Sequence, residues 1–147
     1  MKYEEISAKF LDYFVKKKHH LIKSASLIPK EEDPSSLFIN SGMQPLKNYF
    51  LGLETPPSKR LCSIQKCFRT GDIDKVGSNA RSLTFFFMLG NWSIGDYWKY
   101  GAIEIAWDLI INEYNLDKDK IWVSVFGGDK RVPRDDESIK AWKNVGV

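Results

Sequence analysis

Residues 61–89 constrain this chain most, because two runs of β-forming residues stand on either side of a polar loop. Residues 61–69 alternate, with Cys62, Ile64, Lys66 and Phe68 on one face and Ser63, Gln65, Cys67 and Arg69 on the other. Residues 82–89 are apolar and aromatic and read as a buried central strand. Between them, residues 70–80 contain Gly71, Asp72, Asp74, Gly77, Ser78 and Asn79, a loop composition. The pattern predicts a long antiparallel hairpin, and loops of such length without structure of their own are often functional. The second face of the first strand is small, polar and ends in arginine. It fits the wall of a ligand site and a solvent-facing edge equally well.

The flanking segments supply helices and shorter strands. Tyr3, Ile6, Phe10, Tyr13 and Phe14 recur at helical spacing and predict an amphipathic first helix. Residues 24–29 read as a loop or short extended piece, residues 37–39 as a short buried strand and residues 43–51 as a second helix ended by Gly52 and the Pro56-Pro57 pair. Gly90-Asn91-Trp92-Ser93 reads as a break. Asp96 is the expected N-cap of a helix running to about Glu113, with Ala102, Ile105, Ala106 and Leu109 inward. Residues 121–126 read as another strand, Gly127-Gly128-Asp129 as a turn, and Asp135 or Asp136 as the start of a last helix carrying Ile139 and Trp142. The expected class is α+β with an antiparallel sheet flanked by helices.

Composition narrows the function. The chain has 147 residues, 43% hydrophobic and 28% charged, which suits a folded domain and excludes global disorder. A net charge of +3 permits a polyanionic partner without requiring one. The Lys16-Lys17-Lys18-His19-His20 run reads as the solvated end of a helix. Cys62 and Cys67 have no second pair to complete a zinc site and read as reduced structural thiols. No apolar run reaches the ~20 residues that span a bilayer, and the acidic start is unlike a signal peptide. A cytoplasmic location is expected.

Arg69, Arg81 and Phe85 form the candidate constellation. Two guanidinium groups flanking one loop repel unless an anion sits between them, and each offers a donor fork matched to phosphate oxygens. Phe85 follows Arg81 by four residues, so it shares a strand face with it, and a ring beside a phosphate clamp is suited to stacking a base. The competing reading pairs both arginines with Asp72 and Asp74 and puts Phe85 in a core. No Gly-x-Ser-x-Gly, Walker-type loop or His-Glu-x-x-His motif is present.

Longer motifs add a resemblance. Cys67-Phe68-Arg69-Thr70-Gly71-Asp72-Ile73-Asp74-Lys75-Val76-Gly77, Ala80-Arg81, Thr84-Phe85-Phe86 and Met88-Leu89-Gly90-Asn91-Trp92-Ser93-Ile94-Gly95-Asp96-Tyr97-Trp98-Lys99 resemble the second class motif of alanyl-tRNA synthetases. Leu37-Phe38-Ile39-Asn40-Ser41-Gly42-Met43-Gln44-Pro45-Leu46-Lys47 resembles the first, and the Val125–Asp129 turn with Asp135-Asp136-Glu137 also matches. The resemblance implies the amino-terminal part of a class II catalytic domain over residues 1–147. The implied chemistry is ATP-dependent activation of L-alanine to alanyl-adenylate, then transfer to the 3′ end of tRNA(Ala). It further implies Arg69 on the α-phosphate, Arg81 and Leu83 at the ATP site, Phe85 on the adenine, and Asp72 and Lys75 near the tRNA acceptor end. Mg²⁺ is expected with ATP, and zinc only in an editing region that lies outside this chain.

Two departures bear on activity. The family pattern has Glu where this chain has Phe87, which predicts weakened or lost activation or reassignment of that role, and a His-His pair found in some members is Ser82-Leu83 here. The chain also stops before the third motif, so on its own it is not expected to charge tRNA. A catalytically inactive nucleotide- or tRNA-binding paralogue of the same fold is the alternative. Oligomeric state is not specified by these features.

Overall fold

A computed structural model describes residues 1–31, 33–71 and 73–147. The chain divides into two compact units, Phe14–Ile94 and Met1–Tyr13 with Gly95–Val147. Helix α1 (Tyr3–Lys16) is the expected amphipathic helix, with Glu4 and Glu5 in its first turn and Lys16 in its last, signs that complement the helix dipole. Phe10, Tyr13 and Phe14 are buried on it.

The C-terminus of α1 closes by side chain as well as by backbone. Lys18 adopts φ 64°, its N–H donates to the Val15 carbonyl, and the His19 N–H donates to the Phe14 carbonyl. These two bonds define a Schellman closure, in which a left-handed residue turns the chain off the helix. The His19 ring packs edge-on against Phe14 with centroids 4.8 Å apart. His19 is therefore buried, against the expectation that the whole basic run is solvated, while Lys16, Lys17, Lys18 and His20 are exposed.

The unit Phe14–Ile94 holds a mixed sheet of three strands, β1 (His20–Leu21), β2 (Arg60–Phe68) and β3 (Phe85–Ser93), in the order β1-β2-β3. β1 runs parallel to β2, with His20 beside Leu61 and Leu21 beside Cys62. β2 and β3 form the expected antiparallel hairpin, from Arg60↔Ser93 to Phe68↔Phe85. A 3-10 turn (Gln44–Leu46) leads into the short helix α2 (Lys47–Phe50), and Gly52 at φ 71° ends it. The α+β class holds.

Further local expectations fail in this unit. The face of β2 carrying Ser63, Gln65 and Cys67, read as a ligand wall or a wet edge, is buried. It is buried because Gln65 straps the loop at Ala25 onto the strand: its Oε1 accepts from the Ala25 N–H at 2.8 Å and its Nε2 donates to the Ala25 carbonyl at 3.2 Å. Residues 37–39 are a bend, with Leu37 exposed and only Ile39 buried; the Ile39 backbone bonds to Leu27 and Phe68 instead of to a ladder.

β3 starts later and ends later than expected. Its start is delayed because the Asn79 side chain accepts from the N–H groups of both Arg81 and Ser82 at 2.8 Å. Local capture of this kind competes with a ladder. Its end runs through Gly90 to Ser93 because the indole of Trp92 folds over a glycine: a Cβ on Gly90 would lie 2.3 Å from the Trp92 ring, and one on Gly42 would lie 2.9 Å from it. Two glycines thus make room for one large side chain, and the apparent break is strand. β3 is also less buried than expected, with Phe85 and Phe87 exposed.

The unit Met1–Tyr13 with Gly95–Val147 contains helix α3 (Lys99–Asp108), a π turn (Leu109–Glu113) and helix α4 (Asp136–Asn144). α3 begins after Trp98, not at Asp96, and buries Ile103 in place of the exposed Ala102, with Leu109 buried as expected. The Tyr13 hydroxyl lies 2.7 Å from Asp108 Oδ2 and 3.0 Å from the Ile105 carbonyl, and burial with the Asp108 contact pushes its ionisation well above the usual phenol range. Asp135 caps α4 by accepting from the Ser138 N–H, as expected. Residues 121–126 alternate in exposure as a strand does, but no ladder pairs them among the described residues, and Trp122 is 94% exposed. No helix among the described residues is long and apolar enough to cross a membrane.

Candidate functional site at the end of strand β2

Parity along the hairpin decides which side chains can act together. The Arg69 N–H donates to the Thr84 carbonyl, one step beyond the Phe68↔Phe85 pair, so Arg69 extends the face that carries Phe86. The Arg69 guanidinium carbon lies 5.0 Å from the Phe86 ring centroid, within cation–π range. Phe85 belongs to the other face. There it stacks edge-on with Phe87, centroids 5.2 Å apart, and pairs with Phe68.

Arg69 is held by the segment that follows residue 36. Its Nε donates to the Asn40 carbonyl at 2.9 Å. The Asn40 N–H in turn donates to Gln44 Oε1 at 3.0 Å, and the buried Gln44 amide donates to Asp33 Oδ2 at 2.8 Å and Ser36 Oγ at 3.0 Å. Lys47 closes the chain of bonds on Asp33 at 2.7 Å. The hydrogen bond from Lys47, followed by those from Ser35 and Gln44, holds the Asp33 carboxyl far below its ordinary range. The network fixes the carbonyl that orients the guanidinium through its Nε, and a guanidinium carries further N–H donors beyond that one.

A cavity of about 600 Å³ opens beside Arg69, lined by Ser36, Leu37, Phe38, Asn40, Phe68, Thr70 and Gly71 as well. That volume suits a small ligand. Its described polar lining is a guanidinium, hydroxyls and an amide, which matches phosphate oxygens better than a cation. Among the described residues no group of three or more His, Cys, Asp or Glu side chains gathers at a point. Cys62 and Cys67 lie on opposite faces of β2 and cannot share one ligand, and burial pushes the Cys62 thiol up to about 11.

The other candidates from the sequence scatter. Arg81 sits in the loop before β3, exposed, and does not oppose Arg69 across the ladder. Leu83 is 68% exposed in the same loop. Lys75 closes a 3-10 turn (Ile73–Lys75), its carbonyl accepting from the Ser78 N–H and hydroxyl. Asp72 lies outside the described residues. The two contacts of Arg69 that sequence reasoning did not anticipate are Phe86 and Asn40. The signal for Phe86 was available: once Arg69 is placed opposite Thr84, only the even-numbered positions of β3 share its face.

The pattern defining the family described as tRNA synthetases class II (A) matches residues 5–147. The chain belongs to that family. This bears out the resemblance drawn from the motifs, and places Arg69 and Phe86 within a class II synthetase. Among the similar proteins are the alanine–tRNA ligases of Clostridioides difficile (50% identical over 94% of this chain and 15% of that protein) and Caldicellulosiruptor saccharolyticus (49% over 100% and 16%). That of Borreliella afzelii is 46% identical over 100% of this chain and 25% of its own length. This class II synthetase chain therefore spans between about a seventh and a quarter of the curated relatives' length.

Proposed function

We propose that this chain forms the part of an alanine–tRNA ligase that grips the phosphates of ATP during alanine activation. The observation that carries the reading is the Arg69 guanidinium, oriented by the Asn40 carbonyl beside a cavity of ligand size and over the Phe86 ring. In the first step an alanine carboxylate oxygen attacks the α-phosphorus while the bond to pyrophosphate breaks. In the second, the terminal ribose hydroxyl of tRNA attacks the carbonyl of the adenylate and AMP departs.

Arg69 answers the charge that develops on the α-phosphate. A fixed guanidinium stabilises a crowded phosphorus centre without reorganising during the reaction. Phe86, not Phe85, is the ring we assign to the adenine, because it shares the face of Arg69. Mg²⁺ enters as part of the nucleotide substrate; the described lining supplies donors to phosphate, and no side chain of this chain is assigned to the metal. L-alanine and tRNA(Ala) are the further substrates. Phe87, where the family pattern has Glu, lies on the face away from Arg69, which favours a phosphate contact that does not depend on that Glu.

Equilibrium dialysis with labelled MgATP tests the reading. Retention of ATP by the chain, lost on Arg69→Ala, is the expected outcome. Undiminished retention by Arg69→Ala would remove the assignment.

A further inference from the structure

The modest net charge conceals a segregation. The unit Phe14–Ile94 carries twelve Lys and Arg against six Asp and Glu, while the other unit carries ten against thirteen. Within the basic unit the charge is further concentrated. Residues 15–30 and residues 59–71 contain no acidic residue, and together they hold Lys16, Lys17, Lys18, Lys23 and Lys30 with Lys59, Arg60, Lys66 and Arg69.

The fold lays these two acid-free segments side by side. β1 runs parallel to the start of β2, the Ile22 N–H donates to the Cys62 carbonyl, the Lys66 N–H donates to Ser24 Oγ, and Gln65 straps Ala25. At one end Arg60 Nη1 donates to the Lys17 carbonyl at 3.2 Å, which joins the strand to the end of α1. At the other end the same strand delivers Arg69 to its cavity.

A second observation singles out this strip. Lys18 is exposed and adopts φ 64°, the position in a Schellman closure where glycine is least strained. A lysine there costs stability that a glycine would not, and the outlier points to use of the side chain rather than of the turn. The helix dipole accounts for Lys16, in the last turn of α1. It does not account for Lys59, which comes from another segment, or for a strained Lys18.

We propose that the strip from Lys16, Lys17 and Lys18 through Lys59 and Arg60 is a phosphate-backbone contact for RNA, tracking the strand that leads toward Arg69. The inference rests on the proposed function for its choice of RNA as the polyanion. It adds a surface separate from the loop between β2 and β3. Such contacts position a nucleic acid and carry no sequence information themselves.

The test is fluorescence anisotropy of the 147-residue chain with a labelled RNA hairpin bearing a single-stranded 3′ CCA end, titrated at several salt concentrations. Replacing Lys16, Lys18 and Lys59 together by Gln should weaken binding at low salt by about tenfold or more and flatten the log–log salt dependence by about 2 to 3. The same loss of charge in the other unit, Lys130→Gln with Lys140→Gln and Lys143→Gln, should leave both within about twofold. Lys18→Gly alone should raise the thermal midpoint and still weaken RNA binding, a combination that a purely structural lysine does not give. No RNA binding by the parent chain, an equal loss in both triple variants, or a Lys18→Gly chain that binds undiminished would each overturn the proposal. MgATP dialysis run alongside separates the two readings, because loss of nucleotide binding strikes the Arg69 assignment and leaves the salt slopes as they are.

Discussion

Arg69 and Phe86 share one face of the β2–β3 hairpin, the guanidinium carbon 5.0 Å from the ring centroid, while the adjacent Phe85 lies on the opposite face. A single step in strand register therefore separates a ring beside the Arg69 guanidinium from one that packs against Phe87.

Phe86→Ala should weaken ATP binding by roughly 5- to 150-fold, the range expected when a stacked base loses about 1–3 kcal/mol. Phe85→Ala should change it by less than about twofold, since that ring lies on the face of the hairpin opposite Arg69. Dialysis of both variants against labelled ATP decides between them. A reversal of the two effects would return Phe85 to the site.

Phe87→Glu restores the residue of the family pattern on the face away from Arg69. ATP retention should stay within about twofold of the parent, because a carboxylate there is screened from the phosphates by the sheet and by solvent. A large gain or loss in the same dialysis would show that Phe87 reaches the nucleotide.

Gly90→Ala should destabilise the chain by about 1–3 kcal/mol, because the new methyl collides with an indole that cannot retreat past Gly42. Combining it with Trp92→Leu should recover part of that cost, giving a coupling of about 0.5–3 kcal/mol in urea unfolding. Strict additivity would mean that the ring moves freely.

Asp135 caps α4 and pairs with Lys99 at 2.7 Å, and the Lys99 hydrogen bond, followed by those of Ser138, lowers its carboxyl from 3.8 to about 2. A carboxyl lowered by folding contributes stability that is complete above its unfolded value and is lost as pH falls through the folded one. Asp135→Asn keeps a good cap but removes the charge. The parent's thermal midpoint should therefore fall more steeply than the variant's between pH 4 and pH 2, measured by circular dichroism at low salt. Parallel curves would remove the ion pair from the account.

How much was legible varies with the range of the forces involved. The α1 helix, the Asp135 cap and the antiparallel hairpin follow from side-chain periodicity and turn chemistry within a few residues, and the structure carries them. The motifs around Arg69 sufficed to name the family. The segment at residues 121–126 shows the limit from the other side: its alternation is written locally, but a ladder needs a neighbour that the segment does not contain.

Sequence alone determined which residues carry charge, which are aromatic, and that an arginine stands where a strand leaves the sheet. Tertiary structure decided which of them meet. The register of β2 on β3 put Phe86 beside Arg69, Gln65 turned a polar face into a buried one by strapping a loop forty positions away, and Trp92 made strand out of an apparent break. Each depends on a partner distant along the chain. Periodicity of two fixes which side chains share a face, but only pairing fixes what that face meets.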